Sequence, residues 1–166
     1  MRDSLWARVS DREGGIVAQY LQEFPVRLGA LATELGIDVF RSPLPPNISG
    51  LIKPSDTADS GYEIRVNKYE VPSRQRFTLA HEIAHFLIHK DDIRAGVVDS
   101  VMYRSALTSR KEAEANRLAA DLVMPADLVQ AELHARGGSV NEDVAKDLAN
   151  VFNVSLPAMK VRLGLS

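Results

Sequence analysis

The sequence predicts an α+β domain with N-terminal helices, a small and mostly antiparallel sheet, and a longer helical run behind it. Three observations point there. Apolar residues recur at helical spacing up to Gly36 and again from Arg74 onward. Between these runs, four of the eight prolines (Pro43, Pro45, Pro46 and Pro54) interrupt any periodic pattern. Just beyond them Tyr62, Ile64 and Val66 alternate with Glu63, Arg65 and Asn67, which is the signature of a half-buried strand.

The elements follow in order. Ser10 and Glu13 have capping-box spacing ahead of Ile16, Val17, Tyr20, Leu21 and Phe24, so a helix is expected from Asp11 to about Glu23. Pro25 is expected to open a second helix carrying Leu28, Leu31, Ala32 and Leu35, with Gly36 ending it. Ile37–Phe40 and Ile48–Lys53 read as short strands beside Tyr62–Asn67. Helices are expected over Arg74–His89 and Arg110–Met124, and from Pro125 to Gly137-Gly138. The tail carries two more, with Val144, Leu148, Val151 and Phe152 lining the first and Ser155 capping the second.

Composition excludes several classes. The 166 residues suit one domain, or one with a small appendage, and such a chain can bury roughly 70% of its unfolded surface. There is no cysteine, which removes disulfide scaffolds, iron–sulfur sites, Cys-rich zinc sites and thiol nucleophiles. A net charge of −2 suits neither a coat for nucleic acid nor one for anionic lipid. No run of apolar residues is long enough to span a bilayer, and the first residues have no apolar core of a signal peptide. A cytoplasmic protein is therefore expected.

Three of the four histidines, His81, His85 and His89, fall within nine residues, and His81-Glu82-Ile83-Ala84-His85 reads HExxH. On a helix, positions i and i+4 differ by about 40° and one turn, so both imidazoles can reach one ion. Glu82 is rotated about 100° from His81, where a base for activated water is needed. The flanking Phe77, Leu79, Ala80, Ile83, Ala84, Phe86, Leu87 and Ile88 are apolar nearly all round, which predicts a buried helix. Two histidines and a glutamate buried there cost a few kcal/mol unless they are paired.

A zinc site of this kind needs a third protein ligand. His89 sits about 12 Å along the axis from His81 if the helix is straight, too far for the same ion. Asp91 stands at the third position of the HExxHxxGxxH pattern, but Ile88 occupies the place of its turn-making glycine. His89 is expected instead to be a helix-end residue satisfied by a backbone group. On a helical wheel, Glu112 shares a face with Ala115, Ala119, Leu122 and Val123, while Glu114, Arg117 and Asp121 fall on the far side. Glu112 is thus expected inward and Glu114 in solvent. Asn116, one turn beyond Glu112, could orient a ligand from behind. A local alternative is that Glu112 merely closes a capping box with Ser109.

Arg76 through His89 resembles the active helix of the ImmA/IrrE family of metallopeptidases. Glu112 through Pro125 resembles that family's second motif, ExxANxFAAxLLMP, with Leu118 where phenylalanine is usual. The likeness runs from about Pro25 to Pro125, and more faintly into the tail. It implies a zincin-like, gluzincin-type metallopeptidase, and the domain is expected to occupy residues 1–136: a helical lead (1–36), a small sheet (37–70) and metal-site helices (73–136). A small helical tail (138–166) follows. It further implies one Zn²⁺ held by His81, His85 and Glu112, with Glu82 as catalytic base, and hydrolysis of a helix-turn-helix repressor. Tyr103, Arg104 or His134 could add a donor to the oxyanion, and nothing in the spacing selects among them.

Two further expectations concern recognition. Tyr62–Asn67 could form a sheet edge that adds a substrate peptide as a further strand. The tail has a helix-turn-helix rhythm, but Lys146, Lys160 and Arg162 are balanced by Glu142, Asp143 and Asp147. Direct nucleic-acid binding is therefore not expected, and packing on the core or against a partner is. The competing function is a regulatory or DNA/protein-binding module whose zinc is structural and which cleaves nothing.

Overall fold

The computed structural model describes residues 4–94 and 109–165. A 3-10 turn at Trp6–Arg8 precedes α1 (Asp11–Tyr20) and α2 (Leu28–Glu34). Three strands follow: β1 (Asp38–Ser42), β2 (Gly50–Pro54) and β3 (Tyr62–Asn67). Next come α3 (Pro72–Ile88), α4 (Lys90–Arg94), α5 (Ser109–Val123), α6 (Ala126–Ala135), α7 (Glu142–Phe152) and α8 (Leu156–Arg162).

Local chemistry explains most boundaries. The Ser10 side chain accepts from the Glu13 N–H to start α1, Asn141 does the same for Val144 at α7, and Ser155 for Ala158 at α8. Gly36 takes the left-handed conformation that ends α2, with φ of 82°. Two expectations shift. α1 stops at Tyr20 rather than Glu23, and Pro25 does not open α2. The Val26 carbonyl accepts from Leu28 N at 3.0 Å and from the Arg76 guanidinium at 3.1 Å, so it is already committed and the helical ladder begins only at Leu28. The turn at Trp6–Arg8 and the short α4 were not anticipated.

The sheet is mixed, in the order β1-β3-β2. β2 pairs antiparallel with β3, whereas β1 pairs parallel with it, from Asp38↔Glu63 to Ser42↔Asn67. The expectation of a mostly antiparallel sheet thus holds for one pairing of the two. The reason lies in the proline-rich segment after β1, which crosses to the far side of β3 instead of turning back as a hairpin. Asn67 pins that crossing: its buried Nδ2 donates to the carbonyls of Leu44, Pro45 and Ile48 at 3.1, 3.2 and 2.9 Å. β3 is consequently the central strand with both edges paired, so Tyr62–Asn67 is not the free edge the sequence suggested.

Tyr62, Ile64 and Val66 point from β3 into one core, beneath α3. α3 is buried continuously from Ala80 to Leu87 and packs most extensively against α5. Leu118, Ala119, Leu122 and Val123 of α5 are fully buried, and the small Ala80, Ala84, Ala115 and Ala119 let the two helices lie close. The tail belongs to the same core. Leu148, Phe152 and Met159 are fully buried, and Phe152 stacks on Phe24 with ring centroids 4.7 Å apart. Among the described residues, no helix is long and apolar enough to cross a membrane.

Candidate metal centre

α3 delivers His81 and His85 from successive turns, and α5 delivers Glu112 from its first turn. One ligand atom from each lies within 4.8 Å of the other two. His81 Nε2 is 3.1 Å from His85 Nε2 and 3.0 Å from Glu112 Oε1, and His85 Nε2 is 3.4 Å from Glu112 Oε2. His85 is wholly buried, His81 nearly so, and Glu112 is half-buried at the mouth.

The chemistry of the donor set identifies what fits between them. Asn116 Oδ1 is 2.8 Å from His81 Nδ1, and an amide oxygen can only accept. A neutral His81 therefore donates through Nδ1 and turns a bare Nε2 lone pair toward the Glu112 carboxylate. Two acceptors facing each other across 3.0 Å repel, whereas a shared cation reverses the sign. Two imidazoles and one carboxylate are the donor set of a three-ligand zinc site that keeps a position open for water.

Glu82 is fully buried on α3, next to His81 in sequence. Beside the triad runs a cleft of about 650 Å³, with His81, Glu112 and Asn116 in its lining. Its walls are Arg74 and Phe77 from α3 and Val154 and Pro157 from the tail.

The structure also places the remaining candidates. Tyr103 and Arg104 lie outside the described residues. His134 is exposed on α6 and is not part of the cleft lining. Asp91 is exposed in the first turn of α4 and does not join the triad. His89 caps α3, but its side chain is not satisfied by a backbone group as expected. It is buried between His85 Nδ1 at 2.9 Å and Glu114 Oε1 at 3.0 Å. Glu114, expected in solvent, is 8% exposed, because the N-terminal turn covers that side of α5 and brings Arg8 to 3.1 Å from its second oxygen. A carboxylate two residues from the ligand, with a histidine four beyond His85, was the only available signal, and helical periodicity alone misread it.

Comparison with known proteins adds to this geometry. A family model described as the IrrE N-terminal-like domain, peptidase M78, matches residues 32–164, extending the likeness through the tail. The radiation response metalloprotease IrrE of Deinococcus deserti is 36% identical over 107 residues, which is 61% of this chain and 37% of that protein. The chain thus aligns with little more than a third of that relative's length. A solved Mycobacterium tuberculosis transcriptional regulator superposes with a TM-score of 0.57 at 15% identity, covering 98% of this chain and 49% of the other. At that identity the likeness concerns the fold alone.

Proposed function

The chain belongs to the peptidase M78 family, the IrrE N-terminal-like domains, and on that premise we propose that it is a zinc-dependent endopeptidase. The observation that carries this reading is the convergence of His81, His85 and Glu112 on one point at the edge of a cleft. When bound, zinc would supply a Lewis acid that lowers the pKa of a water toward about 7 and polarises a carbonyl.

The chain's own residues do the rest. Asn116 fixes the His81 ring and its tautomer. Glu82 accepts the proton as water adds to the scissile carbonyl carbon, then passes it to the departing nitrogen as the C–N bond breaks. Positioned proton transfer of this kind is worth roughly 10²–10⁴ in rate. The cleft's mixed walls, with Phe77, Val154 and Pro157 beside Arg74 and several hydroxyl side chains, suit a polypeptide carrying both apolar and polar groups.

The substrate proposed is a helix-turn-helix transcriptional repressor, as the family resemblance implies. The test is incubation of the protein with the repressor encoded by a neighbouring gene, with and without zinc, followed by mass spectrometry. Discrete zinc-dependent fragments are expected. An intact repressor under both conditions would overturn the substrate assignment.

A further inference from the structure

Outside the cleft lining, a second line of polar side chains leads away from His85. Its members come from three separate elements. His85 Nδ1 is 2.9 Å from His89 Nδ1, His89 Nε2 is 3.0 Å from Glu114 Oε1, and Glu114 Oε2 is 3.1 Å from the Arg8 guanidinium. A second Arg8 nitrogen reaches the Ile88 carbonyl at 3.4 Å. His85 and His89 are buried and Glu114 nearly so, while Arg8 is partly exposed.

Proton positions follow from donor and acceptor chemistry, beginning at the far end. Arg8 can only donate, which keeps Glu114 an acceptor. Facing that carboxylate, His89 must donate through Nε2, and a neutral imidazole then has a bare Nδ1. The next atom along is His85 Nδ1, which must therefore donate to it. His85 is left with its lone pair on Nε2, aimed at His81 and Glu112. An inverted tautomer anywhere along the line would set two N–H groups, or two lone pairs, against each other at about 3 Å.

We propose that Arg8, Glu114 and His89 form a positioning relay that fixes the tautomer and ring orientation of His85, as Asn116 does for His81. The inference rests on the reading of His81, His85 and Glu112 as metal ligands. It goes beyond that reading by bringing the N-terminal turn into the site, since Arg8 lies outside the residues matched by the family model. The relay residues touch neither substrate nor metal and act only through His85.

Two measurements on the intact chain test it. Long-range ¹H–¹⁵N correlation spectra of the metal-free protein report the tautomer of each histidine. His85 is expected to be Nδ1-protonated in the wild type and to become a tautomer mixture in His89→Phe and Glu114→Gln. Zinc dissociation constants from chelator competition are expected to rise about 10- to 100-fold in His89→Phe, the usual cost of losing a group that orients a ligand. His89→Gln, which keeps an acceptor and a donor, should recover part of that loss. Arg8→Gln alters a partly exposed residue and carries the test if the buried variants do not fold. It should weaken zinc about two- to fivefold, as expected for one partly exposed ion pair.

An unchanged His85 tautomer, with zinc affinity within experimental error of the wild type in all folded variants, would overturn the relay while leaving the metal site intact. A wild type with Nδ1-protonated His85 but no zinc affinity would instead overturn the metal reading and leave the relay standing.

Discussion

Trp6 donates its indole N–H to Asp121 at 2.7 Å, joining positions 115 residues apart in the chain. The other oxygen of Asp121 accepts from Arg162 of α8 at 2.8 Å. One carboxylate on α5 therefore clasps both the N-terminal turn and the C-terminal helix. Arg162 completes the clasp by donating twice to the Met124 carbonyl, at 3.0 and 2.7 Å.

Asp121→Ala is accordingly expected to destabilise the protein by about 1–3 kcal/mol, the usual cost of losing charge-assisted hydrogen bonds that leave partners behind. The check is the midpoint of urea unfolding, which should fall. Zinc affinity of the folded variant should stay at the wild-type value, because Asp121 touches none of the ligands.

A second prediction concerns Gly50, at the start of β2. A Cβ added there would collide with the Thr78 methyl of α3 and lie 2.8 Å from the Arg65 carbonyl of β3. Only glycine lets β2 lie so close to the helix one turn before His81. Gly50→Ala should cost about 1–3 kcal/mol, as overpacking does. A variant as stable as the wild type in thermal unfolding would show that the strand moves aside freely.

Catalysis separates from metal binding at Glu82. Glu82→Gln should retain one zinc per chain and the wild-type fold while kcat/KM for a cleavable peptide falls about 10²–10⁴-fold. Full activity in this variant would remove Glu82 as the base.

Much of this architecture was legible in local patterns. The Ser10 cap, the alternation of Tyr62 to Asn67, the apolar flanks of His81 to His89 and the inward face of Glu112 are all short-range signals, and each found its place in the fold. What escaped depended on parts of the chain far apart in sequence. A helical wheel sorts Glu114 and Asp121 onto one side of α5 but cannot say that Trp6 and Arg8 will cover it. Strand alternation marks Tyr62–Asn67 as half-buried but is silent on which neighbours pair with it. That pairing was decided by the crossing loop that Asn67 holds. His89 reads as a helix end because its partner, Glu114, lies 25 residues away.

The tail offers a pH test. Lys160 lies 3.1 Å from Glu142, and its hydrogen bond and charge, with Lys146 adding a smaller share, hold the Glu142 carboxyl below the usual range. Because the folded-state pKa is depressed, the stabilisation is present above the unfolded carboxyl pKa of about 4.3 and is lost as pH falls through the lowered value. Carboxyl NMR titration should place Glu142 below the ordinary range in the wild type. It should return there in Lys160→Met.

The most direct measurement is anomalous diffraction at the zinc absorption edge from crystals grown with one equivalent of zinc. A single strong peak is expected within about 2.0–2.2 Å of His81 Nε2, His85 Nε2 and a Glu112 carboxylate oxygen. No peak there at full zinc occupancy elsewhere, or Glu112 turned away from both imidazoles, would contradict the metal-centred reading.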